Sequence, residues 1–219
     1  MILAISGSPR KNRMIHSAIK SLTDGLKEEV EIISLAGKKI NGCTGCTSCA
    51  KDNICKLTDD WNHIGRKMVE ADTIIFGAPN YYDTINALAH ACLERTFCFH
   101  HLGGFSLAGK TGIIVTTTRK RNAPDPVRTI IERFMKANKM DVQARIQVDG
   151  YAPCYTCGVG HKCKVGTVVK EHGVLETIEA CHLPQEVARQ KETMADIMRV
   201  KALLHRSNPD HTNRKTADS

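Results

Sequence analysis

The sequence predicts an α/β protein in which a parallel sheet is covered by helices on both faces. Two observations predict this fold class. Short apolar runs alternate with amphipathic segments along the first two-thirds of the chain, a pattern typical of parallel strands joined by helices. The chain has 219 residues, 42% of them hydrophobic and 25% charged, which is enough for one sizeable domain with a core.

Each element follows from its own stretch of sequence. The predicted strands are short apolar runs at residues 2–6, 30–35, 73–77, 111–117 and 140–147. The predicted helices lie between them at residues 15–27, 59–71, 84–100 and 125–138; the first has apolar residues at helical spacing, and the second begins on a capping aspartate. Five such units predict a flavodoxin-like, doubly wound sheet over residues 1–150, with strand order 2-1-3-4-5.

The rest of the chain has a different pattern. Residues 151–166 are rich in Cys and Gly and show no strand pattern, whereas residues 173–181 and 185–205 have helical patterns. We therefore expect a Cys-rich loop followed by C-terminal helices over residues 151–206. The polar residues 207–219 are expected to form a disordered tail.

Charge and apolar runs exclude several classes of protein. No run of roughly 18 apolar residues is present, so no membrane span is predicted. The apolar start lacks a preceding basic region, which favours a buried strand over a signal peptide and predicts a cytoplasmic protein. The net charge is +8, but only 5% of residues are aromatic and no basic helix carries interleaved aromatics. Anion attraction is therefore favoured over nucleic-acid binding.

The first of two cysteine groups lies in the predicted loop at residues 42–56. Four of the ten cysteines fall within thirteen residues there: Cys43, Cys46, Cys49 and Cys55. Disulfides are rare in cytosolic proteins, and such compact spacing is typical of metal ligands. A 4Fe–4S cluster needs four thiolates, whereas structural zinc commonly uses two separated Cys pairs. The run of three cysteines at equal spacing therefore favours the cluster.

The second cysteine group is Cys154, Cys157 and Cys163, flanked by glycines. With Cys181 or a histidine as a fourth ligand, it would form a second metal site, either another iron–sulfur cluster or zinc. The alternative is a set of reduced thiols without metal. Cys92 and Cys98 lie on a predicted helix and are expected to be core residues.

Three loops at the carboxyl ends of strands predict a binding site for a planar, phosphorylated ligand. The turn after the first strand contains Ser8 and Arg10, whose hydroxyl and guanidinium suit a phosphate at a helix N-terminus; the alternative is an ordinary turn between strand and helix. The other two loops supply the remaining predicted contacts: Pro79, Asn80, Tyr81, Tyr82, Asp83 and Thr84, then Thr116, Thr117, Thr118 and Arg119.

Two of these loops carry a family resemblance. The segments Gly7-Ser8-Pro9-Arg10-Lys11 and Gly77-Ala78-Pro79-Asn80-Tyr81-Tyr82 resemble the NADPH-dependent FMN reductases of flavodoxin-like fold. The first cysteine motif narrows the resemblance to the iron–sulfur flavoproteins of anaerobic microbes. The resemblance covers roughly residues 1–150. It implies FMN, a 4Fe–4S cluster near the flavin of a neighbouring subunit, a homodimer or homotetramer, and electron exchange with ferredoxin-like carriers.

The chain departs from the family pattern at two places. The Ser/Gly-Asn-Thr run that completes the family's phosphate cradle is replaced by Arg13-Met14-Ile15. Arg13, His16 and Ser17 are the candidates to replace the missing donors; otherwise FMN binds loosely. Asp83 and Thr84 stand where the family has Gly and Asn, which leaves the contacts to the flavin edge open.

These observations predict an FMN- and 4Fe–4S-dependent oxidoreductase that exchanges electrons with a ferredoxin-like carrier or NAD(P)H. One alternative is an NAD(P)H-dependent FMN or quinone reductase with structural zinc. Another is a non-enzymatic redox- or metal-sensing binding protein. A hydrolase is not favoured, since no nucleophile elbow or Ser/His/Asp pattern is present, and no residue is predicted as a catalytic acid or base.

Overall fold

The sheet consists of five parallel strands and one short antiparallel strand. The computed structural model describes residues 1–119, 123–183 and 185–206. Its strands are β1 (Ile2–Ser6), β2 (Val30–Ser34), β3 (Thr73–Tyr81), β4 (Thr84–Ile85), β5 (Thr111–Thr118) and β6 (Asp141–Asp149). The parallel strands lie in the order β2-β1-β3-β5-β6, and β4 pairs with β3. The predicted flavodoxin-like sheet is therefore confirmed, with β4 as an addition.

Helices cover both faces of the sheet. They are α1 (Met14–Thr23), α2 (Trp61–Glu70), α3 (Ala87–Glu94), α4 (Pro126–Ala137), α5 (Thr167–His172) and α6 (Lys191–Arg206). Helices α2, α3 and α4 bury residues such as Trp61, Leu93 and Ile131 in one core. On the opposite face, α1 and α6 pack together through residues such as Ile19 and Val200. The C-terminal helix therefore completes the second helical layer.

Three predicted helices differ from the observed ones. The helix predicted at 15–27 ends at Thr23, because Asp24 is extended and Gly25 has a left-handed φ of 72°. The helix predicted at 84–100 is α3 followed by a 3-10 turn at Arg95–Phe99. The helix predicted at 173–181 is wrong, since the helix of this region is α5, which ends at Gly173 with a φ of 78°.

The last predicted helix, at 185–205, is α6, which begins later, at Lys191. The predicted disordered tail at 207–219 lies outside the described residues. None of the described helices is long and apolar enough to span a membrane.

The strand β4 arises from a tight hairpin. Tyr81 pairs with Thr84, and the two residues between them, Tyr82 and Asp83, have φ values of 54° and 57°. Two successive left-handed residues are what a type I′ hairpin turn requires. The hairpin stands at the carboxyl end of β3, beside the turns after β1 and β5.

Candidate functional site

The turn after β1 is pressed tightly against its neighbours. The Gly7 N–H donates to the Gly77 carbonyl at 2.6 Å, and the Asn86 side-chain amide donates to the Gly7 carbonyl at 2.9 Å. A Cβ on Gly7 would lie 2.7 Å from the Gly77 oxygen and 2.8 Å from the Ala89 Cβ. Only glycine fits here, so β3 and the start of α3 fix the position of the turn.

Two arginines that follow this turn have hydrogen-bond donors available for a ligand. The Ser8 hydroxyl is used within the turn, since it accepts from the Arg10 N–H and donates to the Arg10 carbonyl, both at 3.2 Å. The Arg10 Nε is buried and has no hydrogen-bond partner in the described part of the chain. Arg13 is the N-cap residue of α1, and its side chain does not cap the helix. A buried unpartnered N–H beside an uncapped helix N-terminus fits an anion.

Tyr151 lies between these two arginines. Its hydroxyl accepts from the Arg13 Nη1 at 3.2 Å, and the Arg10 guanidinium carbon lies 5.9 Å from its ring centroid. The cavity left between them is only about 30 Å³, which holds about one water molecule. The donors therefore fit a phosphate group once the Tyr151 side chain moves aside. No sequence motif pointed to Tyr151, which follows the carboxyl end of β6.

A larger cleft of about 300 Å³ adjoins this cavity. The hairpin and the end of β5 line it, and the residues shared with the smaller cavity are Thr117, Gly150 and Tyr151. Of the predicted contacts, the cleft brings together Asn80, Tyr82, Asp83, Thr117, Thr118 and Arg119, while Pro79 lines the smaller cavity. Its volume is within the range of small-molecule sites. A phosphorylated ligand whose planar ring lies in this cleft would have its phosphate near Arg10.

The hairpin presents an aromatic side chain at the rim of the cleft. Asn80 and Asp83 stabilise the turn, since the Asp83 N–H donates to the Asn80 Oδ1 at 2.9 Å and the Asn80 amide donates to the Asp83 carboxylate at 3.3 Å. Tyr82 is fully exposed at the tip, and Tyr81 is partly exposed beside it. Tyr82 is therefore available to cover a planar ligand.

Four predicted contacts line neither the cleft nor the smaller cavity, and Tyr81 of the hairpin is one of them. Thr116 is buried and donates to the Asp125 carboxylate at 2.5 Å, which places its hydroxyl at the start of α4. Thr84 pairs with Tyr81 in the hairpin and does not line the cleft. Ser17 lines another cavity, together with Arg13 and Tyr151. The structure places none of these four side chains in the cleft or in the smaller cavity.

The first cysteine group occupies an irregular loop between β2 and α2. Cys49 is buried, Cys46 is exposed, and Cys43 and Cys55 are half-buried. Burial raises the pKa of Cys49, and negative charge on Cys55, Cys46 and Cys43 raises it further. The four cysteines lie within thirteen residues of this one loop.

Hydrogen bonds within this loop favour thiolate character. Donation from the Ser48 backbone and hydroxyl, and then from the Thr44 hydroxyl, lowers the pKa of Cys46. The Gly45 N–H lies 3.5 Å from the Cys43 Sγ and donates to it. Iron–sulfur clusters are held by thiolates whose potential depends on such hydrogen bonds. The donor set therefore fits a cluster.

Two residues at the end of α3 hold the loop from outside. The Cys43 N–H donates to the Glu94 Oε2 at 2.9 Å, and the Arg95 Nε–H donates to the Cys55 Sγ at 3.1 Å. Gly42 makes the first contact feasible, because a Cβ there would lie 2.8 Å from the Glu94 carboxylate. Neither Glu94 nor Arg95 was predicted from the sequence, since both are far from the motif along the chain.

Two further cysteines belong to the core. Cys92 and Cys98 are 0% and 2% exposed, which confirms their prediction as core residues. Burial raises the pKa of each thiol to about 12, so both are protonated at neutral pH.

The second cysteine group forms a compact loop of its own. The Thr167 N–H donates to the Cys154 Sγ at 3.4 Å, and the Cys157 thiol donates to the Cys154 carbonyl at 3.4 Å. A Cβ on Gly160 would lie 1.8 Å from the Cys154 carbonyl oxygen, so the loop closes on itself only with glycine there. A Cβ on Gly166, which precedes Thr167, would lie 3.3 Å from the Cys163 Sγ.

The predicted fourth ligand lies on another turn. Cys181 is exposed on the 3-10 turn Ala180–His182, where its thiol lies 3.9 Å from the Glu179 carboxylate. Within residues 1–119, 123–183 and 185–206, no group of three or more His, Cys, Asp or Glu side chains is arranged to hold a metal ion. Both predicted metal sites therefore rest on the cysteine pattern and on the hydrogen bonds to sulfur.

The second loop touches the rim of the cleft. The Tyr155 hydroxyl donates to the Glu171 Oε2 at 2.5 Å, and the Arg119 guanidinium pairs with the Glu171 Oε1 at 2.8 Å. Burial, followed by the neighbouring Glu171, raises the pKa of Tyr155 to about 12. Arg119 therefore lies between the cleft and the C-terminal segment.

Comparison with protein families shows which family the sheet and its loops belong to. NADPH-dependent FMN reductases match this chain over residues 1–149. The chain belongs to this family. Membership supports the prediction of a flavin-dependent oxidoreductase and of FMN as its cofactor, and it confirms the resemblance seen in the two loops.

Two individual relatives that are similar to this chain are both iron–sulfur flavoproteins. An iron–sulfur flavoprotein of Methanocaldococcus jannaschii is 35% identical over 124 residues, covering 55% of this chain and 63% of the relative. An iron–sulfur flavoprotein of Archaeoglobus fulgidus is 32% identical over 139 residues, covering 62% of each chain. The matched segment spans less than two thirds of these relatives.

A solved structure extends the likeness of the fold beyond the family match. The structure of RosB with a bound 8-demethyl-8-formylriboflavin-5′-phosphate covers 99% of this chain and 90% of its own. The TM-score is 0.55 and the identity 17%, which shows a shared fold alone. The FMN reductase match ends at residue 149, so the second cysteine loop lies beyond it.

Proposed function

We propose that this FMN reductase family member is an oxidoreductase that uses FMN together with a 4Fe–4S cluster on Cys43, Cys46, Cys49 and Cys55. It exchanges electrons with a ferredoxin-like carrier or with NAD(P)H. The observation that carries the proposal is the arrangement around α3. Asn86, at the N-terminus of this helix, holds the phosphate turn, and Glu94 and Arg95, at and just beyond its end, hold the cysteine loop.

Helix α3 connects the residues that position the two predicted cofactor sites. The helix has eight residues and is therefore about 12 Å long. One rigid element thus fixes both sites within the same chain. A flavin accepts electrons in pairs or singly, and an iron–sulfur cluster carries single electrons, so this pairing supports exchange between two-electron and one-electron partners.

The residues of this chain bind and orient the flavin in the proposed arrangement. Arg10, Arg13 and the N-terminal N–H groups of α1 bind the phosphate. Tyr82 covers the ring, and Thr117 borders both the phosphate cavity and the ring cleft. No side chain is assigned as an acid or base, because the cofactors supply the chemistry and the protein supplies position and charge.

An anaerobic reductive titration tests this proposal. We expect the purified protein to take up about three electrons per chain, about two at the flavin and one at the cluster. Visible and electron paramagnetic resonance spectra, recorded at each step, assign the uptake to one centre or the other. Uptake of only about two electrons, all at the flavin, would instead support a reductase with structural zinc. Absence of any uptake would support a non-enzymatic metal-sensing protein.

We also propose that Cys154, Cys157 and Cys163 share a second metal centre, with Cys181 as the fourth ligand. The support is the closed loop at Gly160 and the N–H donation to the Cys154 Sγ. We expect the triple variant Cys154→Ser, Cys157→Ser, Cys163→Ser to lose iron or zinc while FMN and the first cluster remain. Metal analysis checks this outcome. Unchanged metal content in a folded variant would show that these cysteines are free thiols.

The assembly of a homodimer or homotetramer stays a prediction of the family resemblance. Exposed apolar side chains near the cysteine loop support it, namely Ile54, Phe97, Leu102 and Phe105. A ferredoxin-like carrier would need access to the same region, where Cys46 is exposed.

A further inference from the structure

Arg95 is a fully buried arginine, and the flavin-binding residues do not explain its position. Its side chain is 0% exposed, and its partner, Asp59, is 4% exposed. Burying an ion pair costs desolvation free energy, and arginine is almost never fully buried unless it is paired and hydrogen-bonded. The other contacts of the guanidinium indicate which part of the structure this buried ion pair stabilises.

One guanidinium group closes both ends of the cysteine loop. Arg95 Nη1 donates to the Asp59 carboxylate at 2.8 Å and to the Asn41 carbonyl at 3.0 Å, and Nη2 donates to the Leu57 carbonyl at 3.4 Å. Asn41 and Leu57 flank the predicted cysteine loop, residues 42–56, on its two sides. The guanidinium carbon also lies 4.9 Å from the ring centroid of Trp61, which fixes its orientation. The contacts therefore hold the two loop ends together.

The third nitrogen of the guanidinium, Nε, is directed at a sulfur atom. Arg95 Nε–H donates to the Cys55 Sγ at 3.1 Å, and Cys55 is the last cysteine of the motif. Hydrogen bonds to ligand sulfurs and nearby positive charge stabilise the more negative, reduced form of a cluster. Reduction adds one electron and requires no proton, so a fixed cation beside one ligand changes the potential directly.

We infer that Arg95 is a positioning residue that closes the cysteine loop and raises the reduction potential of the cluster through its hydrogen bond to Cys55. This inference rests on the proposed function, since it takes the four cysteines as cluster ligands. Arg95 lies outside the cysteine motif, yet it helps to set the reduction potential of the cluster. The adjacent Glu94 supports the opposite end of the loop through the Cys43 N–H, at a backbone atom rather than at a sulfur.

The test compares midpoint potentials in Arg95→Lys and in the double variant Arg95→Met, Asp59→Asn. Lysine keeps the charge but lacks the planar group that reaches Cys55, Asn41 and Leu57 together. The double variant avoids leaving the Asp59 charge buried without a partner.

In both variants we expect the equilibrium constant for reduction of the cluster to fall at least tenfold. This makes the midpoint potential of the cluster about 59 mV more negative for a one-electron couple, with the FMN potential unchanged. Arg145→Lys, which alters the ion pair with Glu132, is the matched control and should leave both potentials unchanged.

The outcomes separate this inference from the proposed function. A cluster potential equal to that of the unmodified protein, in either variant with full iron content, would overturn the role of Arg95. Loss of iron from both variants, with FMN content and helical circular dichroism retained, would support closure of the loop by Arg95. If the unmodified protein itself contains no iron, the proposed function fails.

Discussion

Replacing Cys46 and Cys49 together by serine is expected to remove about four iron atoms per chain from the anaerobically purified protein. Serine hydroxyls are poor ligands for iron, and a 4Fe–4S cluster needs one thiolate at each iron. The variant should fold, because Cys46 is exposed and Cys49 is replaced by a side chain of similar size. Iron and acid-labile sulfide per chain are the quantities to measure, with FMN content measured in parallel.

The matched control for this loss is Cys92→Ala. Cys92 is a fully buried residue of α3, in the same core cluster as Cys49, and its high pKa makes it a poor ligand. This variant should retain its iron and sulfide. Full iron content in the Cys46, Cys49 double variant would contradict the cluster assignment, as would an equal loss of iron in the control.

Arg10→Ala is expected to weaken FMN binding by roughly 10- to 150-fold. The substitution removes a charge-assisted contact to the phosphate worth about 1.5–3 kcal/mol in all, and each 1.4 kcal/mol corresponds to about tenfold in affinity. The buried Arg10 Nε, unpartnered among the described residues, is the observation behind this expectation. Titration of the apoprotein with FMN, followed by flavin fluorescence, gives the dissociation constant.

A control is needed because the chain carries a net charge of +8 and attracts anions in general. Arg128→Ala removes the same charge from the exposed face of α4 and should change the affinity for FMN little. If Arg10→Ala and Arg128→Ala bind FMN equally well, the phosphate site has been placed at the wrong turn.

The parallel sheet could be predicted because its strands are short apolar runs separated by helical segments. The strand β4 could not, since its turn places Tyr82 and Asp83 in left-handed conformations without the glycine that usually indicates a type I′ turn. The helix predicted at 173–181 failed for a related reason. Its apolar spacing was helical, but the chain forms α5 before it and ends that helix at Gly173.

The part of the site that could be predicted consists of residues that lie within local sequence motifs. The cysteine spacing and the turn at Ser8 and Arg10 are local patterns. Arg95 and Tyr151 are not, because their partners Cys55 and Arg13 lie 40 and 138 positions away along the chain. Thr116 shows the opposite error, since a hydroxyl at the end of a strand looked available to a ligand but donates to Asp125.

The most direct test of the account is the analysis of iron, acid-labile sulfide, zinc and FMN in protein purified without oxygen. The account predicts about four iron and four sulfide per chain for the first cysteine group, about one FMN, and a brown colour that is lost on exposure to an iron chelator under oxidising conditions. One zinc per chain at Cys43, Cys46, Cys49 and Cys55, without iron or sulfide, would contradict it.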